Sequence, residues 1–438
     1  MKPGVFLVSE VKFPELNARI DKLADGIRNP KLRNMFKNCF YSTLETTTKL
    51  HDDGCTYVFT GDIPAMWLRD SSAQVMHYLR VCDCPGIKEA IAGLVKLQMR
   101  YIALDPYANA FNEEANGAGH GGDATNFNEN KDWIWERKYE IDSLCYPVWI
   151  SYKYWKKTGD TSIFDAQYQK STQMIMDLFR VEQHHEEKSP YVFQRFDCPE
   201  TDTLPREGKG ALVEYTGMTW SGFRPSDDAC VYGYLVPSNM FAVVILGYLE
   251  EIYTEVYKET ALAASAQSLK NEIEAGIRKY AVVDDPEYGK VFAYEVDGRG
   301  NAVFMDDANV PSLLSLPYLG YCDMDDPIYQ NTRKYILSKK NPYYYEGSFA
   351  KGIGSPHTPP GYIWHIALVM EAMTCKDDAE KAKVLNTIMA CDGGTEVMHE
   401  GFDSNDPTVY TREWFAWANS LLAYFILEEI DKVNDFVK

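Results

Sequence analysis

The chain has 438 residues, 45% of them hydrophobic and 25% charged, proportions that exclude a disordered or fibrous protein. Asp and Glu outnumber Lys and Arg by 64 to 44, a net charge of −20, which disfavours nucleic acid and anionic membranes as partners because both are bound largely through cationic side chains. Aromatic residues reach 13%, with 30 Tyr and 9 Trp, and an acidic, ring-rich chain suits sugars, whose C–H faces stack on rings and whose hydroxyls donate to carboxylates.

At the N-terminus, MKPGVFLVSEVKFPEL holds an apolar run of four residues before Ser9 and Glu10. That is too short for the hydrophobic region of a secretory signal, so a cytoplasmic protein is expected. Apolar residues at helical spacing predict helices over 14–27, 31–49, 71–81, from Ile87 through Val95, 142–157 and 163–183. Between them, Tyr57 to Thr60 and Tyr191 to Arg195 read as short strands. Ala229 to Leu249 carries no charge, but Pro237, Ser238 and Asn239 interrupt it. It predicts a buried helix from Met240 to Val256, capped by Ser238 or Asn239, and not a membrane span. Further helices are predicted over 257–279, 326–338, 361–374 and 378–390, and around Leu421, Leu422, Phe425 and Ile430, with a strand from Lys290 to Glu295.

About twelve helices without a dividing linker predict one domain over 1–438. The pattern fits an α-solenoid or helix pairs closed into an (α/α)6 barrel. The connections are long and contain the polar and aromatic clusters, as in an enzyme that carries its chemistry on loops. The ten Cys are scattered from Cys39 to Cys391 with no C-x-x-C pair, which predicts reduced thiols and neither a zinc ribbon nor a disulfide framework.

Five clusters could carry chemistry. In TGDIPAMWLRDSSAQ (60–74), Asp70 with Ser71 and Ser72 suits a helix cap, but Asp62, Trp67 and Arg69 are then unexplained; a ring beside an Arg and carboxylates suits a sugar. WIWERKYEIDSLCYP (133–147) sets Glu136, Arg137, Lys138, Glu140 and Asp142 among aromatics, where structural ion pairs, with Asp142 and Ser143 as a cap, explain most of the charges. Upstream, the Gly-rich stretch 116–128 is a lid or a surface loop, and no role is assigned to it. In TWSGFRPSDDAC (219–230), the adjacent Asp227 and Asp228 are a cap or a general acid whose pKa is raised by nearby rings and a second carboxylate. GIGSPHTPPGYIWHIAL (352–368) holds His357 in a tight turn before a helix, with His365 inside it. The last, Met398 to Ile426, carries Glu400, which together with the Asp pair places two carboxylates on different loops, the arrangement of glycoside hydrolysis.

The eight His show no H-E-x-x-H or similar spacing, and no phosphate loop, Rossmann fingerprint or G-x-S-x-G elbow is present. No metal and no cofactor is therefore expected.

TGDIPAMWLRDSSAQ, WERKYEIDSLCYP, TWSGFRPSDDAC, GSPHTPPGYIWHIAL, MHEGF and FAWANSL, in this order over nearly the whole chain, together resemble glycoside hydrolase family 125. The resemblance implies an all-α (α/α)6 barrel and an exo-acting, metal-independent α-mannosidase that removes terminal α-1,6-linked mannose from oligosaccharides or glycans with inversion. It also implies a general acid in the RPSDD string, Asp227 with Asp228 in reserve, and Glu400 as general base. Asp62, Trp67, Arg69, Asp70, Arg224, His357 and Tyr362 would line the sugar pocket. The competing expectations are another (α/α)6 glycosidase, a mannoside phosphorylase, a non-catalytic carbohydrate-binding protein and a solenoid adaptor.

Overall fold

The computed structural model describes residues 5–7, 13–127 and 129–437. Most of the N-terminal stretch on which the signal expectation rested, together with Asn128, thus lies outside the described residues. Twelve helices of eight or more residues run from Pro14–Asp25 to Ala416–Glu428, as the periodicity predicts. Several ends differ. The second helix, Pro30–Thr46, stops before a hairpin of Thr48–His51 with Thr56–Val58, because β-branched Thr residues at 46–48 disfavour further helix. Tyr362–Trp364 is a strand paired with Gly401–Asp403, and the helix expected from 361 begins only at His365. The helix expected from Met240 starts at Val236 with Pro237 in its first turn, where a missing N–H costs nothing. Ser238 and Asn239 are therefore inside it and not its cap; Asn239 exchanges hydrogen bonds with the Thr219 backbone at 2.8 and 3.0 Å.

The order of packing argues against an open solenoid. Ala416–Glu428 packs against Pro30–Thr46 and Leu68–Val75, while Ile141–Thr158 contacts both Leu68–Val75 and Val236–Ile252, so the two ends of the chain meet. One buried apolar cluster extends from Leu16 to Phe436.

Three small antiparallel sheets each feed a helix. Met66–Trp67 leads into Leu68–Val75, Tyr234–Leu235 into Val236–Ile252, and Tyr362–Trp364 into His365–Met373. Each residue before the helix is extended, so the strand ladder sets where the first helical turn lies. The chemistry is mounted at two of these junctions. Among the described residues no helix is long and apolar enough to cross a membrane, and all ten Cys are unpaired.

Candidate active site

Strand Met66–Trp67 pairs with Ala110–Phe111, which pairs in turn with Ile134–Glu136. The sheet fixes Trp67, and Arg69 and Asp70 follow in the first turn of the next helix. Arg69 is buried and gathers carboxylates from distant parts of the chain. Its Nη1 reaches Glu140 at 2.6 Å and Asp142 at 3.2 Å, its Nη2 reaches Asp227 at 3.1 Å, and its Nε lies 3.3 Å from Asp70.

Asp227 has φ +66°, a left-handed conformation that costs a non-glycine residue about 1 kcal/mol. The turn is closed by Asp227 N–H to Arg224 C=O at 2.9 Å and Arg224 N–H to Asp228 C=O at 2.7 Å. It sends the two adjacent carboxylates to different places. Asp227 lines a cavity, whereas Asp228 is buried against Ser226 Oγ at 3.2 Å and His357 Nδ1 at 3.3 Å.

Glu400 precedes strand Gly401–Asp403 and is 4% exposed. Its N–H donates to Thr411 C=O at 3.3 Å, and its carboxylate faces Arg412 Nη1 at 3.4 Å. Arg412 is held from its other side by Asp62, Nε to Oδ2 at 3.0 Å.

The cavity is a small, partly open cleft. Besides Asp227 and Glu400, its wall includes Trp67, Arg69, Asp70, Asn309, His357, Trp364, Arg412, Phe415 and Trp417. Trp67 Nε1 is buried without a hydrogen-bond partner among the described residues.

The electrostatics differ from the simplest expectation. Burial pushes Asp227 up, but Arg69, a hydrogen bond shared with Glu140, and Lys138 together hold it well below the ordinary carboxylate range. A raised value for Asp227 is thus corrected: the rings and second carboxylate are outweighed by a guanidinium in direct contact. Burial instead lifts Glu140 well above its ordinary value and Asp142 to about 6, against the pull of Arg69. For His357, burial opposes protonation, but the contact with Asp228 and the charges of Glu400 and Asp227 push it up to about 9. His357 is therefore an imidazolium at neutral pH. If its charge holds a ligand hydroxyl, KM for the substrate should rise as pH climbs through about 9, and His357→Ala should lack that rise. A wild-type KM that stays level from pH 8 to 10 would remove His357 from ligand binding.

Of the expected pocket residues, the structure brings together Trp67, Arg69, Asp70, Asp227, His357 and Glu400. Three are not on the wall. Asp62 stands behind it, holding Arg412. Arg224 is committed to Glu295, Nε to Oε1 at 2.6 Å. Tyr362 lies one strand repeat outside Trp364, which lines the cavity in its stead. Neither expected cap forms. Ser71 and Ser72 hydroxyls donate back to Leu68 C=O, at 3.3 and 3.1 Å, while Asp142 binds Arg69 and Ser143 Oγ donates to Glu140 at 2.8 Å. Sequence reasoning assigned no role to Asn309, Trp364, Arg412, Phe415 or Trp417. Arg412 and Trp417 did stand in the string around Glu400, but Arg412 is held by Asp62, 350 residues away.

Gly117 to Thr125 of the Gly-rich stretch lines a separate open groove with Trp135 and Glu136. Trp135 packs against the small cluster of Ala65, Trp67 and Ala110. The groove thus lies behind the Trp67 wall of the cavity.

Two carboxylates on different loops, facing one small ring-lined cavity, define the class of glycoside hydrolases. Residues 29–427 match the family model described as metal-independent alpha-mannosidase (GH125), and the chain belongs to this family. It is 38% identical to the meiotically up-regulated gene 157 protein of Schizosaccharomyces pombe, over 96% of this chain and 86% of that one. A Streptococcus pneumoniae metal-independent alpha mannosidase, solved in a non-productive complex with α-1,6-mannobiose, is 50% identical and superimposes with a TM-score of 0.92, covering 95% of this chain and 98% of that one. A bacterial glucoamylase solved with acarbose shares the fold at 13% identity, TM-score 0.55, over 93% of this chain and 56% of its own.

Proposed function

We propose that this α-mannosidase is an exo-acting enzyme that removes non-reducing-terminal α-1,6-linked mannose with inversion, on an (α/α)6 barrel, with Asp227 as general acid and Glu400 as general base. The observation that carries the proposal is that Asp227 and Glu400 line one cavity with different partners: Asp227 sits on the Arg69 fork beside Glu140, and Glu400 beside Arg412. The 1,6 linkage is supported by the disaccharide held by the Streptococcus pneumoniae relative. The barrel is supported by the glucoamylase likeness and by the meeting of the chain's two ends.

In this reading, the terminal mannose binds at the small, partly open cleft that both carboxylates line. Glu400 takes a proton from water as the water oxygen bonds to C1. Asp227 gives a proton to the glycosidic oxygen as the C1–O bond breaks. Trp67, Asp70 and Arg412 are placed to bind the sugar hydroxyls. A phosphorylase would need free cationic groups, but Arg69, Arg412 and His357 are all engaged by carboxylates.

The test is incubation with α-1,2, α-1,3, α-1,4 and α-1,6 mannobioses, with products followed by chromatography. The α-1,6 isomer should be hydrolysed with little action on the others; preference for another linkage would overturn the substrate assignment.

A further inference from the structure

The hydrolysis just described uses Asp227 and Glu400, and leaves Glu140 and Asp142 without a task. Both are wholly buried, and buried carboxylates are retained at such a cost only when paired or protonated. Arg69 is the single guanidinium among Asp70, Glu140, Asp142 and Asp227. Glu140 and Asp142, the two carboxylates farthest from the cleft, share the one Nη1 of that guanidinium. Lys138, whose Nζ binds the Asp227 main-chain carbonyl at 2.7 Å and the Asp202 carboxylate, and His357 add their positive charges at Asp227 but make no contact with Glu140 or Asp142.

The surroundings of Glu140 show where a proton would sit. From the helix Leu68–Val75, Arg69 Nη1 binds one oxygen at 2.6 Å; from its own helix, Ser143 Oγ donates to that same oxygen at 2.8 Å. The other oxygen meets Asn109 Nδ2 only at 3.4 Å. Asp142 shares Nη1, and Asp227 occupies the neighbouring Nη2. Glu140 and Asp227 thus sit side by side on one guanidinium, and their carboxyl groups are within hydrogen-bonding reach. Two carboxylates can make that hydrogen bond only if one of them carries a proton.

Resting on the assignment of Asp227 as general acid, we propose that Glu140 is a positioning residue that shares one proton with Asp227 and so keeps the acid loaded at neutral pH. In the resting enzyme the proton lies on Glu140 and is donated to Asp227. During turnover it passes to Asp227 and on to the glycosidic oxygen as that oxygen leaves C1 with the bonding electron pair. Water supplies the new C1–O bond, and its proton goes to Glu400. The pair is then doubly anionic beside Arg69 until solvent returns the proton that Glu400 releases. Without Glu140, Asp227 alone on Arg69 would be a carboxylate at neutral pH and could not donate.

The experiment compares two substrates in the full-length enzyme. α-1,6-Mannobiose leaves as a basic alkoxide and needs the acid. 2,4-Dinitrophenyl α-mannoside leaves as a stable phenolate and needs no proton. Glu140→Gln should lower turnover of the mannobiose by about 10²-fold and barely change that of the dinitrophenyl mannoside. Asp142→Asn, altering the other carboxylate on the same Nη1, should show no such split. The wild-type enzyme itself gives a second readout. Its kcat/KM for mannobiose should hold through neutral pH, with an acid limb where Glu400 gains a proton, whereas an unshared Asp227, held below the ordinary carboxylate range by Arg69, would leave the acid unloaded at neutral pH.

Equal losses on both substrates, no loss on either, or a wild-type profile already lost below neutral pH would overturn the proposal. The underlying acid assignment fails separately: Asp227→Asn would then show no split between the two substrates. If Asp227→Asn splits them and Glu140→Gln does not, Asp227 remains the acid and only the shared proton is refuted.

Discussion

Glu400→Gln is expected to lower turnover of α-1,6-mannobiose by about 10⁴-fold, near the upper end of what one general base contributes. The amide is nearly the size of the carboxylate and keeps its place beside Arg412 Nη1, now 3.4 Å away, but it cannot take a proton from water. Folding should be spared, because the Glu400 backbone bonds to Thr411 and from His365 do not involve the side chain. The loss should appear in kcat, with KM little changed, and circular dichroism should match the wild type. Azide should not restore Glu400→Ala, since an inverting enzyme has no nucleophilic carboxylate for azide to replace. Formation of a β-mannosyl azide would make Glu400 a nucleophile.

Asp227→Asn is expected to lower mannobiose turnover by at least about 10²-fold through loss of proton donation. Its neighbour is the internal control. Asp228 faces His357 and Ser226 and does not line the cavity, so Asp228→Asn should act mainly by removing the partner that keeps His357 charged. It should raise KM more than it lowers kcat. A silent Asp227→Asn with a dead Asp228→Asn would move the acid by one position.

Apolar periodicity was enough to locate twelve helices, because a helix that buries one face must repeat its apolar residues at that spacing. Helix starts were less legible. Trp67 and Trp364 enter their helices from short strands, and a strand of two or three residues leaves almost no alternation to read. For the site, the strings around Arg69, Asp227 and Glu400 were visible, and the choice between Asp227 and Asp228 stayed open on physical grounds. What separates them is the left-handed turn at Asp227, a backbone feature that the string RPSDD does not announce. Arg224 looked like a pocket residue from the same string, but its partner Glu295 is 71 residues on. Glu140 and Asp142 were read as ordinary ion pairs because their common partner Arg69 is 71 and 73 residues away, and Asp227 is 158 away. The pairing was read correctly as an ion pair; the crowding of four carboxylates on one cation exists only in the folded chain.

The central claim is that Glu400 activates water on the face of the sugar opposite the departing oxygen. Proton NMR of an α-mannoside digest, recorded before mutarotation, tests it most directly. The account predicts β-mannose as the first sugar released, whereas α-mannose at the earliest times would contradict it and require a covalent mannosyl-enzyme.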